Sequence, residues 1–262
     1  MNKDMEVLLV TKGHIFKREP FFRMIDALKV LDDGTTVNWT HVEQPAAAAL
    51  LHPERAATFD AIVFYDMPGV TFTRSDPPFA HFDPSDQYKE DFMALVEAGK
   101  GMVFLHHAIA GWPSWPAFAQ ILGGRFHFLP GELDGKHYPG SGFRFRVPQR
   151  ISVVDQSHPI VADVAPEFSI VDEAYLFPVL EDQVEPLLRS DFNFTASEFE
   201  MGGIGYKDHP PGSNLVGWTK RSGNSDIAYL QMGHGPEIYR DANFRKLLGN
   251  SVKWAGKQGA RP

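Results

Sequence analysis

Eleven histidines and no cysteine define the chemistry open to this 262-residue chain. Without a thiol it has no cysteine nucleophile, disulfide framework, thiolate metal site or iron–sulfur cluster. Imidazole titrates nearest neutral pH and ligates metals, so the histidines are the first place to look. His106 and His107 close the apolar run VFLHH, His234 lies between glycines in QMGHGPE, and His14 follows the first apolar run in VTKGH. Neighbouring side chains on a strand face opposite ways, so His106 and His107 share a site only where the chain turns. His106 is read as functional, while His107 stands equally as its partner or as a packed core residue. The glycines around His234 allow a tight turn and close ligand approach. Glu237 either orients His234 or opens a helix, where an acid suits the dipole.

Carboxylates and aromatic rings extend the set. Asp66 ends the run AIVFYD, and the pair Asp172-Glu173 sits at the edge of an apolar run in SIVDEAY. An acid there partners a histidine, holds a metal, accepts substrate hydroxyls or simply meets solvent. Trp112 and Trp115, in GWPSWP, carry flat faces that suit the apolar faces of sugar rings, with core anchoring as the other reading. His127, in GGRFH, falls where the same rim would lie. No Gly-rich dinucleotide fingerprint and no phosphate-cradling lysine loop is present, so no nucleotide cofactor is expected. The Gly-x-Ser-x-Gly elbow and the His-Glu-x-x-His zinc helix are also missing.

These residues act together only if the secondary structure gathers them. Residues 6–11, 37–42, 59–65 and 102–105 read as short apolar strands. Phe21, Phe22, Ile25, Leu28 and Leu31 recur at helical spacing up to the break at Asp33-Gly34. Residues 46–57 read as one helix opened by Pro45, 86–98 as an amphipathic helix ended by Gly99, and 115–122 as a short helix stopped by Gly123-Gly124. Residues 67–85, rich in Pro, Gly and Asp, read as a long loop of the kind that often carries function. Alternating strands and helices predict βαβ units in a parallel sheet, which binds ligands beyond the carboxyl ends of its strands. His14, Asp66, His106, His107 and His234 all follow or close such runs.

The second half changes character, with shorter strands over 142–147, 151–155, 169–175, 184–188, 214–219 and 226–231, and a closing helix over 243–255. No linker or internal repeat divides the chain, so 1–262 is expected to be one α/β domain with an elaborated β-rich C-terminal half. A net charge of −8 argues against a sequence-blind nucleic-acid binder. No apolar stretch approaches the roughly 20 residues that span a bilayer, and the start of the chain lacks a signal-peptide pattern. A cytoplasmic location and no membrane partner are therefore expected. Phenylalanine, at 21 residues, dominates the aromatic content and points to a dense core or to faces for flat ligands.

In order, VTKGHIFKREPFF, FDAIVFYDMPG, GKGMVFLHHAIAGWPSWPAFAQILGGRFH, the HPI at 158–160, VDEAY, AYLQMGHGPEIY and NSVKWAG resemble the ThuA-like (trehalose utilisation) family of the class I glutamine amidotransferase-like superfamily. The resemblance implies a flavodoxin-like three-layer sandwich with a mainly parallel central sheet. It places His106 where the amidotransferases carry their cysteine. His234 and Glu237 loosely match the late His-Pro-Glu arrangement, with Gly235 inserted. Glutamine hydrolysis through a thioester is then not available. His107 stands where a small residue is usual in the family.

The family is associated with sugar metabolism, including trehalose and keto sugars. The resemblance implies an enzyme acting on a sugar or keto-sugar derivative by hydrolysis, elimination or isomerisation. His106 and His234 would serve as acid and base, or as ligands of a divalent metal such as zinc, with Glu173 as their carboxylate partner. His14, Asp66, His107, Trp112, Trp115 and His127 would contact the substrate. A homo-oligomer is a further implication. The competing expectation is a non-catalytic sugar-binding or protein-interaction module that lost its activity with the cysteine.

Overall fold

The computed structural model describes residues 4–257; residues 1–3 and 258–262 of the expected 1–262 domain lie outside the described residues. The first half runs β1 (Met5–Lys12), α1 (Arg18–Ala27), β2 (Val37–Glu43), α2 (Pro53–Ala56), β3 (Ala61–Asp66), β4 (Val70–Phe72), β5 (Phe79–His81), α3 (Asp86–Glu97), β6 (Gly101–Leu105) and α4 (Pro116–Leu122). The second runs β7 (Gly131–Leu133), β8 (Lys136–Tyr138), β9 (Gly142–Val153), β10 (Glu167–Leu176), β11 (Glu185–Ser190), β12 (Met201–Gly202), β13 (Leu215–Ser222), β14 (Ser225–Leu230), α5 (Pro236–Tyr239) and α6 (Ala242–Gly256).

The central sheet has the order β10-β9-β11-β13-β14-β6-β3-β1-β2, with β12 added against β9. The run β2-β1-β3-β6-β14 is parallel throughout. This is the doubly wound flavodoxin-like order. From β13 outward every pairing is antiparallel, which is the elaborated second half. The all-apolar character of β3 and β6 follows from burial on both faces, since helices cover each side of a parallel sheet.

Alternation along the strands feeds two cores. Val7 and Leu9 of β1 face a core shared with Phe21 and Met24 of α1 and Leu247 and Leu248 of α6. Leu8 and Val10 face the other side, with Phe92 of α3 and Phe118 of α4. Each such side chain, fully buried, contributes roughly 1.5–3 kcal/mol. Local signals set the helix ends: Ser85 accepts the Tyr88 N–H at the start of α3, and Asp241 accepts the Phe244 N–H at the start of α6. Among the described residues no helix is long and apolar enough to cross a membrane.

Four local expectations are corrected. Residues 46–57 form two short helical pieces, because Pro53 disfavours helical geometry at the preceding residue and His52 is extended at φ −63° and ψ 133°. Residues 67–85 contain a small hairpin, β4–β5. The helix through Phe21 and Ile25 stops at Ala27, although Leu28 and Leu31 are still buried. The two strands expected over 142–147 and 151–155 are one continuous strand, β9.

Candidate functional site

β6 and β14 lie side by side in parallel, with Leu105 opposite Leu230. The segments that follow them therefore leave the sheet together. After Leu105 the chain enters a tight helical turn over His106–Ala110, and His106 takes a left-handed backbone with φ +51°. Such a conformation costs a β-carbon residue on the order of 1–3 kcal/mol, so surrounding contacts must enforce it. They do so from both sides. The His106 ring bonds through Nδ1 to the Gln231 carbonyl at 2.7 Å, and the Tyr229 hydroxyl donates to the His106 carbonyl at 3.0 Å. Gly233 (φ +141°) passes so close that a Cβ there would lie 3.2 Å from the His106 Cβ.

The carboxylates arrive from β10, through an irregularity. The β9–β10 register shifts between Asp172 and Ala174, where Glu173 alone faces two residues of β9, Phe145 and Arg146, and Arg146 takes a left-handed backbone with φ +55°. A bulge re-aims side chains and so lets chain neighbours serve one site. Asp172 accepts the Gly233 N–H at 2.7 Å and the His234 N–H at 3.2 Å. Glu173 Oε2 lies 2.9 Å from His106 Nε2 and 2.8 Å from His234 Nδ1, and those two nitrogens are 3.3 Å apart. The Tyr175 hydroxyl closes the group at 2.8 Å from His106 Nε2. Tyr65 holds the neighbouring loop by donating to the Gly233 carbonyl, and Tyr239 donates to the His234 carbonyl.

Electrostatics follow from this packing. Burial works against the Glu173 charge, yet hydrogen bonds and charge from His106 and His234 hold its carboxyl down at about 2. Burial likewise opposes charge on His234, but Glu173, Asp172 and Glu237 outweigh it and raise the imidazole above its ordinary value. His14 is pushed down to about 4 by burial and by the His106 charge, and His107 falls well below the usual range through burial. The donor set fits a divalent cation. His106 Nδ1 donates to the Gln231 carbonyl, so its Nε2, 2.9 Å from Glu173 Oε2, meets the carboxylate either as an N–H donor or, with that proton displaced, as a ligand atom for a cation. A ring held by its far nitrogen on a carbonyl is the usual support of a metal-ligating histidine. Tetrahedral zinc at its ordinary bond lengths sets donors about 3.3 Å apart, close to what His106, Glu173 and His234 present. They are also the group among the described residues whose ligand atoms converge closely enough to hold an ion.

Through Glu173 and Tyr175 this cluster borders a cleft. His14 and His107 line it as a stacked pair, with ring centroids 4.7 Å apart. His107 Nε2 donates to the Tyr65 carbonyl at 3.2 Å, and its buried Nδ1 has no hydrogen-bond partner among the described residues. Both histidines of VFLHH thus reach one site, because the turn at His106 breaks strand alternation. Six phenylalanines, Phe72, Phe79, Phe126, Phe128, Phe143 and Phe145, form most of the remaining wall.

Other expected contacts sit elsewhere. Trp112 and Trp115 are buried in the core against Tyr88 and Phe92 and are not among the cleft-lining residues, the placement of the core-anchoring reading. The Arg125 guanidinium fixes them there by binding the carbonyls of Pro113 and Trp115. Asp66 is buried and accepts a 2.8 Å bond from Gln44, away from the cleft lining. His127 stacks on Tyr138 and is likewise not among the lining residues. Glu237 lies in the first turn of α5, as the helix-start reading expects. The sequence reading missed Tyr175, Gln231 and the phenylalanine wall. The high phenylalanine content was the available signal, and chain order gave no way to place those rings together.

The family model described as trehalose utilisation, ThuA, matches residues 6–255. No curated protein matches the chain in sequence. Among solved structures, a ThuA-like protein from Parabacteroides merdae is 16% identical with a TM-score of 0.67, covering 97% of this chain and 90% of its own. A ThuA-like protein from Bacteroides uniformis is 21% identical with a TM-score of 0.64, covering 96% and 91%. A cytoplasmic protein from Salmonella typhimurium is 13% identical with a TM-score of 0.60, covering 95% and 98%. These likenesses are of fold, whereas the family model spans nearly the whole sequence, and on that ground the chain belongs to the ThuA, or trehalose utilisation, family.

Proposed function

We propose that this protein is a carbohydrate-metabolism enzyme that acts on a sugar or keto-sugar derivative at the His106–Glu173–His234 cluster. The observation that carries this reading is the meeting of three donor atoms from three separated parts of the chain within 3.3 Å of one another. The sugar class comes from the trehalose utilisation family. We read residues 1–262 as one working domain, in the cytoplasm as in the Salmonella neighbour's name.

His106, Glu173 and His234 would hold a divalent ion such as zinc, leaving the cleft side for substrate. Bound there, it would polarise a carbonyl or lower the pKa of water. The chain's own groups do the rest. Gln231 fixes the His106 ring, and Asp172 fixes the loop that carries His234. His14, kept neutral and facing the cleft, is placed to take a proton from a substrate hydroxyl. His107, held by the Tyr65 carbonyl, stacks on His14 and orients its ring.

The test is metal content by mass spectrometry on protein purified without a histidine tag, with turnover of keto-glycosides followed in parallel. The expected result is about one zinc per chain, lost together with turnover in His106→Ala and Glu173→Gln. Metal-free protein whose turnover is indifferent to both substitutions would overturn the proposal. Ligand-induced thermal stabilisation without any product would instead favour the non-catalytic binding module.

A further inference from the structure

The wall of the cleft is the wrong material for a bare sugar. A monosaccharide ring carries several hydroxyls, and each one buried without a partner costs binding. Polar side chains on the lining are His14, His107, Glu173 and Tyr175, and Glu173 and Tyr175 belong to the cluster. No lysine or arginine lines it, so an anionic tail finds no counter-charge there. The rest of the lining is mostly an aromatic belt. Phe79 packs on Phe128 with centroids 4.9 Å apart, Phe128 on Phe126 at 5.0 Å, and Phe143 on Phe145 at 5.5 Å. Phe145 then meets the His234 ring at 5.0 Å, so the belt reaches the cluster itself. Phe72 and Phe145 keep 54% and 42% of their surface exposed. Two large apolar rings left open to water at the mouth of one cleft mark a surface that a ligand covers.

We propose that the cleft binds a two-ended ligand: an oxygen-bearing end at the His106–Glu173–His234 cluster and a flat apolar group, of the aryl type, against the phenylalanine belt. The inference rests on the functional reading above for the oxygen-bearing end. The belt itself stands independently of any metal. Burial of an aryl ring on apolar surface is favourable, and offset or edge-on aromatic contacts add to it. For a glycoside, the sugar would face the histidines and the aglycone would fill the belt.

The experiment compares phenyl and methyl β-glucopyranoside by calorimetric titration of the full chain, before and after chelator treatment. The phenyl compound is expected to bind at least tenfold more tightly in both states. Phe72→Ala/Phe145→Ala, at partly exposed positions, is expected to erase that preference while leaving the thermal midpoint near the parent value. Equal affinities, or undetectable binding of the phenyl compound, would overturn the proposal, as would a preference untouched by the double variant. A preference that survives in protein with no affinity for zinc would sink the metal centre and leave the aryl site standing.

Discussion

Asp172 and Glu173 are consecutive residues of β10, yet their carboxylates serve the same cluster. Asp172 binds the backbone N–H groups of Gly233 and His234, and Glu173 binds the rings of His106 and His234. In a regular strand the two would point to opposite faces. The bulge in β9 opposite Glu173, at Phe145-Arg146, breaks the regular pairing there, and one residue becomes the anchor of the loop and the other the charge in the site.

Loss of the anchor should therefore be felt at the metal position. Asp172→Ala leaves the buried Gly233 N–H and the part-buried His234 N–H without their acceptor, at a cost of about 1–3 kcal/mol in stability. Zinc affinity should fall 10–100-fold, the usual effect of removing an outer support of a ligand. Thermal melts and a competitive zinc titration measure the two effects separately. A destabilised variant with parental zinc affinity would show that Asp172 supports only the fold.

Zinc affinity should also rise with pH. His234 is raised above its ordinary pKa by Glu173 against the opposing effect of burial, so at neutral pH and below its Nδ1 competes for a proton. Binding must release that proton, which predicts a change on the order of tenfold per pH unit below the His234 pKa. Zinc titrations between pH 5.5 and about 8 read the slope directly. A flat profile would remove His234 from the ligand set.

Asp66 gives stability the opposite dependence on pH. Burial raises its carboxyl from 3.8 to about 7, with the Gln44 bond only partly offsetting it. The folded state therefore holds one more proton than the unfolded state between those two values. Stability contributed by this group is greatest below the unfolded pKa and falls as pH rises, by up to about 1.4 kcal/mol per unit, until the folded pKa is passed. Asp66→Asn should match the parent near the acid end of that window and exceed it above the upper end. Urea denaturation at the two extremes tests the sign, and equal stabilities above the window would refute it.

The tryptophans provide a test of placement. Trp112 and Trp115 are each 7% exposed and pack on the aromatic core beside α3. Trp112→Ala should cost about 3–5 kcal/mol, as large-to-small core changes do. Trp112→Phe should recover most of that stability and keep ligand affinity unchanged. Weakened ligand binding in a fully stable Trp112→Phe variant would return the ring to the cleft.

Sequence alone determined the alternation of apolar strands and helices, the strand ends where the histidines sit, and the absence of thiol chemistry. These are local properties: side-chain period, helix breakers and residue type leave their mark within a few positions. It could not decide that Glu173, rather than Asp172, faces His106, because that depends on a one-residue register shift against β9. Nor could it separate Trp112 and Trp115 from Phe126 and Phe143 as the wall of the cleft. All four are apolar aromatics, and which of them meets the ligand is set by how two sheet faces and a curled antiparallel half pack around one another. Such packing is a sum of contacts between residues far apart in the chain, and only the tertiary structure fixes it.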